Sequence, residues 1–280
     1  MPPDIPDHLI FQLSQVLAAE TGLFFPENRW RSLRRGIAAA VRDLSEEDNI
    51  LSYIQRLLSS PFPQNLMDAL VNRLTVGETY FFRDKSLFHV LENNILPELI
   101  GSRLREKQHK LRFWSAGCCT GEEAYSLSIL LDQMLPDMQE WDITILATDI
   151  NSDFLRKAEK GIYRNWSFRE TPSRIKEKYF REKEKQLFEI YPNLKKMIRF
   201  ARSNLTSASC FENVPEMDII FCRNVMMYFS PESIRFLIER LAGSLPKRGW
   251  LAVSPSETNF VCHDSLEFVR FPDVILHRKI

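Results

Sequence analysis

Leu111-Arg112-Phe113-Trp114-Ser115-Ala116 runs directly into Gly117-Cys118-Cys119-Thr120-Gly121, and Glu122-Glu123-Ala124-Tyr125-Ser126-Leu127 follows at once. The first six residues have the apolar density of a buried strand. The turn after them carries a glycine at each end, which lets backbone approach a ligand with no Cβ in the way. The stretch from Glu122 to Leu135 has helical apolar spacing. A strand, a glycine turn and a helix in this order open an α/β sheet. Ligands of such sheets bind in the crevice beyond the carboxyl ends of the strands.

The alternation continues downstream. Residues 142–149 read as a near-continuous apolar strand, 151–162 as a helix, 217–223 as a strand and 230–245 as a helix, with further strands at 249–255 and 274–280. Fully apolar strands alternating with helices predict an α/β doubly wound parallel sheet covered on both faces. Residues of about 165–200 differ. They are highly charged and contain the strand-like Leu187-Phe188-Glu189-Ile190-Tyr191, so a small β insertion is expected, in the form of an antiparallel hairpin. Upstream, residues 1–75 read as helices. Leu9, Phe11, Leu13, Val16 and Leu17 form a stripe that ends at Gly22. A second helix is expected from near Pro26 and a third after Ser45, with Asp48 as a weak capping box. A fourth is expected over about 64–73. The predicted organisation is a helical domain at 1–75 and an α/β domain at 76–280.

The composition bounds what such a fold can do. The chain has 280 residues, 44% hydrophobic and 26% charged, with 37 basic and 37 acidic side chains. Zero net charge argues against a nucleic-acid binder working by bulk charge. No apolar run approaches the roughly 18–20 residues that cross a bilayer, and the N-terminus lacks a signal peptide's basic and apolar regions. Five cysteines without a CxxC pair and five histidines without HxxxH argue against a disulfide framework and a metal site, and suit a reducing cytoplasm.

The turn 117–121 fits neither GxGxxG nor the P-loop. Asp149 ends the second strand, where a carboxylate is suited to take both hydroxyls of a ribose. Together they point to a nucleoside-bearing cofactor, and the missing dinucleotide fingerprint favours S-adenosylmethionine over NAD. The plainer alternative is that 117–121 is only a tight turn and Asp149 only caps the next helix. Of Glu122 and Glu123, one carboxylate is expected to face the cofactor; the alternative is that both merely suit the helix dipole.

Four segments then act together: Leu74-Thr75-Val76-Gly77-Glu78-Thr79-Tyr80-Phe81-Phe82-Arg83-Asp84, Trp114 to Ser126, Ala147-Thr148-Asp149-Ile150-Asn151, and Phe221-Cys222-Arg223-Asn224-Val225-Met226-Met227-Tyr228-Phe229. In this order and spacing the chain resembles the bacterial chemotaxis receptor methyltransferases (CheR-type) over nearly its whole length. The resemblance implies a class I methyltransferase sheet behind a small helical domain. It implies methyl transfer from S-adenosylmethionine to glutamate side chains of chemoreceptors. It places Gly77, Thr79, Arg83, Gly117, Glu123, Asp149, Asn204, Leu205, Arg223 and Asn224 at the cofactor, with Asp149 on the ribose and Asn204-Leu205 on the adenine side. Gly77 stands where some members have Asn. Arg83 also reaches the substrate, and Tyr228 faces the transferred methyl. Ser254-Pro255-Ser256-Glu257 departs from the family's pattern and is assigned no role.

A glutamate carboxylate is already ionised at neutral pH, so this reaction needs orientation and no general base. The bidentate fork of Arg83 suits that task. Arg31, Arg34, Arg35 and Arg42 share a broad helical face, read as a docking surface for an acidic receptor bundle, against the alternative of a solvated face. The partner expected is the receptor's cytoplasmic helical bundle, with no nucleic acid, no membrane insertion and action as a monomer. Three rivals stay open: the same chemistry on another protein of a chemosensory-like pathway, a non-catalytic S-adenosylmethionine-binding signalling module, and a small-molecule or RNA methyltransferase. The loop between residues 180 and 187 is short and lacks glycine, so no receptor tether is expected to bind there.

Overall fold

The computed structural model describes residues 5–44, 49–135 and 137–280. Four helices come first: α1 (Asp7–Thr21), α2 (Trp30–Asp43), α3 (Ile50–Leu58) and α4 (Gln64–Leu74). Gly22, at φ +76°, stops α1 in the left-handed region that glycine tolerates. The second helix starts later than expected, because a short 3-10 turn, Glu27–Arg29, follows Pro26. The proposed Ser45–Asp48 cap lies outside the described residues. The cap in place is Asn49, whose side chain accepts the Leu51 N–H. Ile10, Leu13, Leu17, Leu33, Ile37, Tyr53, Ile54, Leu57 and Leu70 are fully buried in one apolar cluster under these helices. Phe11, expected in the apolar stripe of α1, is exposed.

Two further helices, α5 (Lys85–Val90) and α6 (Leu96–Arg105), are joined by a π-helical turn. The sheet elements then alternate: β1 (Lys110–Ala116), α7 (Glu122–Met134), β2 (Asp142–Asp149) and α8 (Ser152–Lys160). The inserted segment holds β3 (Ile162–Arg164), α9 (Ser173–Tyr179), β4 (Phe180–Glu184), β5 (Leu187–Ile190) and α10 (Pro192–Lys195). The chain returns as β6 (Ile198–Arg202), β7 (Ile219–Phe221), α11 (Pro231–Gly243), β8 (Trp250–Ala252), β9 (Leu266–Phe271) and β10 (Val274–Lys279).

The main sheet has seven strands in the order β6-β2-β1-β7-β8-β10-β9. The β1 strand pairs in parallel with β2 (Phe113 opposite Ile145) and with β7 (Ser115 opposite Phe221). The chain order therefore reverses across β1, and the crevice opens at the carboxyl ends of β1, β2 and β7. The sheet corrects the expectation in two ways. The last pair, β9 and β10, runs antiparallel. The edge strands β6 and β9 carry no continuous apolar run, since an edge strand need not be buried on both faces. The insertion is also larger than a hairpin and shifted: β3, β5 and β4 make a three-stranded antiparallel sheet, and residues 198–202 belong to the main sheet.

Candidate active site

A cleft lies over the ends of β1, β2 and β7 and is bordered by Thr75, Val76, Glu78, Thr79 and Arg83 and by the end of α1. Its floor is the 117–121 turn. Gly117 and Cys118 donate their N–H groups to the Thr148 carbonyl at 2.8 and 2.9 Å. Gly117 sits at φ +87°, and a Cβ there would lie 2.4 Å from Val225 Cγ2 across the cleft. Only glycine fits both the backbone and the space.

Asp149 is held on both oxygens. The Cys119 N–H reaches Oδ2 and the Asn151 N–H reaches Oδ1, each at 2.8 Å. Burial raises its pKa, and these N–H groups pull the other way. It does not cap α8: that role belongs to Asn151, whose Oδ1 accepts from Asp153 N and Phe154 N. Each carboxylate oxygen keeps further acceptor capacity toward the cleft, which is what a pair of ribose hydroxyls requires.

Of the paired acids, Glu123 lines the cleft and Glu122 does not. Glu122 is buried and accepts the Thr120 hydroxyl at 2.6 Å and the Ser167 hydroxyl at 2.9 Å. Glu123 accepts the Ser115 hydroxyl at 2.7 Å and faces Arg223 Nη1 at 3.3 Å. Arg223 is buried, pairs also with Asp84 at 2.9 Å, and donates to the Arg83 carbonyl at 3.2 Å. Asp84 therefore pairs with Arg223 and not with Arg83, its neighbour in the chain. Among the described residues Arg83 makes no ion pair, and its Nη1 donates only to the Glu78 carbonyl.

Asn204 and Leu205 line the opposite end of the cleft with Ile150 and Ser203. Thr79, Asn224 and Tyr228 also lie on its wall. Gly77 does not. It is exposed, and its missing side chain makes room for the Phe154 ring, 2.8 Å from where a Cβ would stand. Tyr228 is half-buried with its pKa raised by burial, so the phenol keeps its proton. The thiols of the floor are poor nucleophiles: burial pushes Cys119 up to about 12 and Cys118 well above its ordinary value. Among the described residues no three His, Cys, Asp or Glu side chains gather as a metal would need.

Two functional neighbours were not expected. Glu257 is fully buried and accepts the N–H of Asn224 at 2.6 Å and of Met227 at 3.3 Å, which fixes the turn carrying Asn224 and Tyr228. Its signal was present as a capping box, Ser254 to Glu257. Arg29 lies with its guanidinium carbon 5.6 Å from the Tyr228 ring centre and donates to the Phe24 carbonyl at 3.0 Å. Phe24 N donates to the Tyr228 carbonyl at 2.8 Å, so the N-terminal helices hold the tyrosine segment directly. Nothing local in sequence signals such a contact.

The comparisons decide the family. Residues 77–274 match the family described as CheR methyltransferase, SAM binding domain. The chain belongs to the CheR methyltransferase family. Chemotaxis protein methyltransferase 2 of Vibrio cholerae is 30% identical to it, over 85% of this chain and 81% of that one. A chemotaxis protein methyltransferase of Borreliella burgdorferi is 34% identical over 75% and 74%. Chemotaxis protein methyltransferase 1 of Pseudomonas aeruginosa is 30% identical over 86% and 88%. The chain is thus an S-adenosylmethionine-dependent methyltransferase of the chemotaxis type.

The cleft fits that cofactor. Asp149 has two anchored oxygens that would suit a ribose, Glu123 a carboxylate that would suit an ammonium, and Leu205 with Ile150 apolar surface that would suit a purine ring. The glycine floor leaves the backbone open.

Proposed function

We propose that the chain methylates glutamate side chains of a chemoreceptor's cytoplasmic helical bundle, giving methyl esters, and that it works in the cytoplasm. The observation that carries this reading is the Arg83 guanidinium on the cleft wall, whose charge no carboxylate among the described residues neutralises. The other cleft arginine, Arg223, is neutralised by Asp84 and Glu123. Arg83 is therefore the cation left to take an incoming carboxylate, and its fork can hold one bidentately.

S-adenosylmethionine, when bound, supplies a methyl group activated by its sulfonium. Asp149, Glu123, Thr79, Asn204, Leu205 and Asn224 bind and orient it. Arg83 orients the carboxylate. Tyr228, still protonated, offers a hydrogen bond beside the reacting atoms. No proton has to be removed from an ionised glutamate, so the reaction requires no general base. The rate would come from alignment.

Residues 1–75 would serve as the docking unit and 76–280 as the transferase. Arg31, Arg35 and Arg42 are exposed on α2 and fall within one helical face, a surface complementary to an acidic bundle. Arg34 is not available: it pairs with Asp7 and donates to the Ile5 carbonyl. No helix of the described residues is long and apolar enough to cross a membrane.

The test is transfer of labelled methyl from S-adenosylmethionine to the cytoplasmic fragment of a co-occurring chemoreceptor, with wild type beside Arg83→Ala. Label that alkali releases as methanol, and that disappears with Arg83, is expected. Label on another protein alone would shift the substrate. Cofactor binding without transfer to any protein would make the chain a signalling module.

A further inference from the structure

Beside the cleft stands a group of side chains that the reaction described above does not use. Arg169 follows the short turn Asn165–Phe168 that ends the β3 segment. Its guanidinium carbon is 3.7 Å from the centre of the Tyr80 ring and 4.4 Å from that of Trp166. Its Nη1 donates to the Trp166 carbonyl at 2.9 Å, and its Nη2 pairs with the Glu78 carboxylate at 2.5 Å. The main-chain carbonyl of that same Glu78 is the acceptor for Arg83 Nη1. The two segments are also joined through the backbone, Phe81 N to the Ser167 carbonyl at 2.9 Å.

The segment that carries Arg83 needs such an anchor. Phe82 and Asp84, on either side of it, sit at φ +57° and +74°, a region that L side chains disfavour and that persists only when the surroundings hold it. Residues 76–78 are exposed, so packing does not hold them. Trp166 is 67% exposed, and among the described residues its ring is faced by the Arg169 guanidinium alone. A guanidinium stacks on an aromatic face and offers a planar fork to a carboxylate at the same time; an ammonium does only the second.

We propose that Arg169 is a positioning residue for methyl transfer. Clamped between Tyr80 and Trp166, it fixes Glu78, and Glu78 in turn sets the direction of Arg83. Arg169 is not a second substrate clamp, because its charge is already taken by Glu78. The inference rests on the reading of Arg83 as the holder of the substrate carboxylate.

The full chain would be assayed for methyl transfer to a purified chemoreceptor cytoplasmic fragment, with S-adenosylmethionine affinity measured by calorimetry. The variants are Arg169→Ala, Arg169→Lys, Arg83→Lys and the double variant Arg83→Lys/Arg169→Ala. Arg169→Ala is expected to lower kcat/KM by about ten- to a hundredfold, with cofactor affinity within about twofold of wild type, a split that general unfolding does not produce. Arg169→Lys keeps the charge opposite Glu78 but loses the stack, and recovers only part of the loss. In the Arg83→Lys background, removing Arg169 is expected to cost less than about twofold more, because the two act as one unit. Losses that multiply in the double variant would overturn the proposal. So would wild-type transfer by Arg169→Ala while Arg83→Lys is impaired. Wild-type transfer by Arg83→Lys would instead overturn the reading of Arg83 on which the proposal rests. If Arg169→Ala melts early, Arg169→Lys alone carries the test, and full activity in it refutes the stack.

Discussion

Replacing Glu257 tests whether the cleft wall is held as described. Its buried carboxylate accepts the Ser254 hydroxyl and the Asn224 N–H, both at 2.6 Å, and more weakly Met227 N at 3.3 Å and Ser254 N at 3.4 Å. The Asn224 backbone it holds is left-handed, at φ +58°, so the turn does not keep its shape unaided. Glu257→Ala leaves the two short donors without their charged acceptor, at about 1.5–3 kcal/mol each, or about 3–6 kcal/mol in all. For a chain of this size that is a fall in Tm on the order of 5–10 °C. Glu257→Gln behaves differently. Its oxygen can replace Oε2, which carries three of the four bonds, and its amide nitrogen then faces only the long Met227 contact. The loss is then about 1–2 kcal/mol, a few degrees. Scanning calorimetry gives both Tm values, and titration with S-adenosylmethionine gives the affinity, which should fall with Ala because Asn224 lies on the cleft wall. An alanine variant melting within about 2 °C of wild type, or one with glutamine melting lower than alanine, would refute the assigned role.

Other outcomes follow from the same structure. Asp149→Asn should weaken S-adenosylmethionine binding by at least about tenfold, since one anchored oxygen becomes a donor facing a backbone N–H and the charge that strengthens ribose bonds is lost, at about 1.5–3 kcal/mol per charged hydrogen bond; unchanged affinity in calorimetry would remove the ribose assignment. His277 is fully buried, and burial lowers its pKa from 6.5 to about 4, with no hydrogen-bond partner on either ring nitrogen among the described residues. Its folded pKa lies below the unfolded one, so its contribution is complete above about pH 6.5 and is lost as pH falls toward 4. Wild type should therefore lose about 2 kcal/mol more unfolding free energy than His277→Leu between pH 7 and pH 5, and equal losses by urea titration would contradict this.

Much of the architecture could be read because it depends on local pattern. The strand–turn–helix at 111–135 needs apolar strand residues, a glycine at φ +87° and helical spacing, and all three are written in neighbouring positions. The edge strands β6 and β9 escaped because a strand with one free face keeps charges such as Arg199 and Glu267. In the insertion the expected hairpin is present as β4 and β5, while the third strand escaped because β3 pairs with β5 across a long gap, Tyr163 with Phe188, and no periodicity reports such a pairing.

For the site, residue types at the ends of strands determined the chemistry that was expected: Gly117, Asp149 and Arg223 each end or follow a strand that the apolar pattern located. What the sequence left open was how the charges are shared. Arg83 is adjacent to Asp84 in the chain, yet Asp84 pairs with Arg223, 139 residues away. Glu122 and Glu123 are neighbours, yet one is buried against Ser167 while the other lines the cleft, because successive helical positions point about 100° apart. Glu257, Arg29 and Arg169 touch the cleft residues Asn224, Tyr228 and Glu78 only because distant segments pack together. Pattern along the chain determines which elements form and where a crevice opens; the partners of each charged group depend on tertiary packing, because electrostatic and hydrogen-bond energies follow distance in space and not separation in sequence.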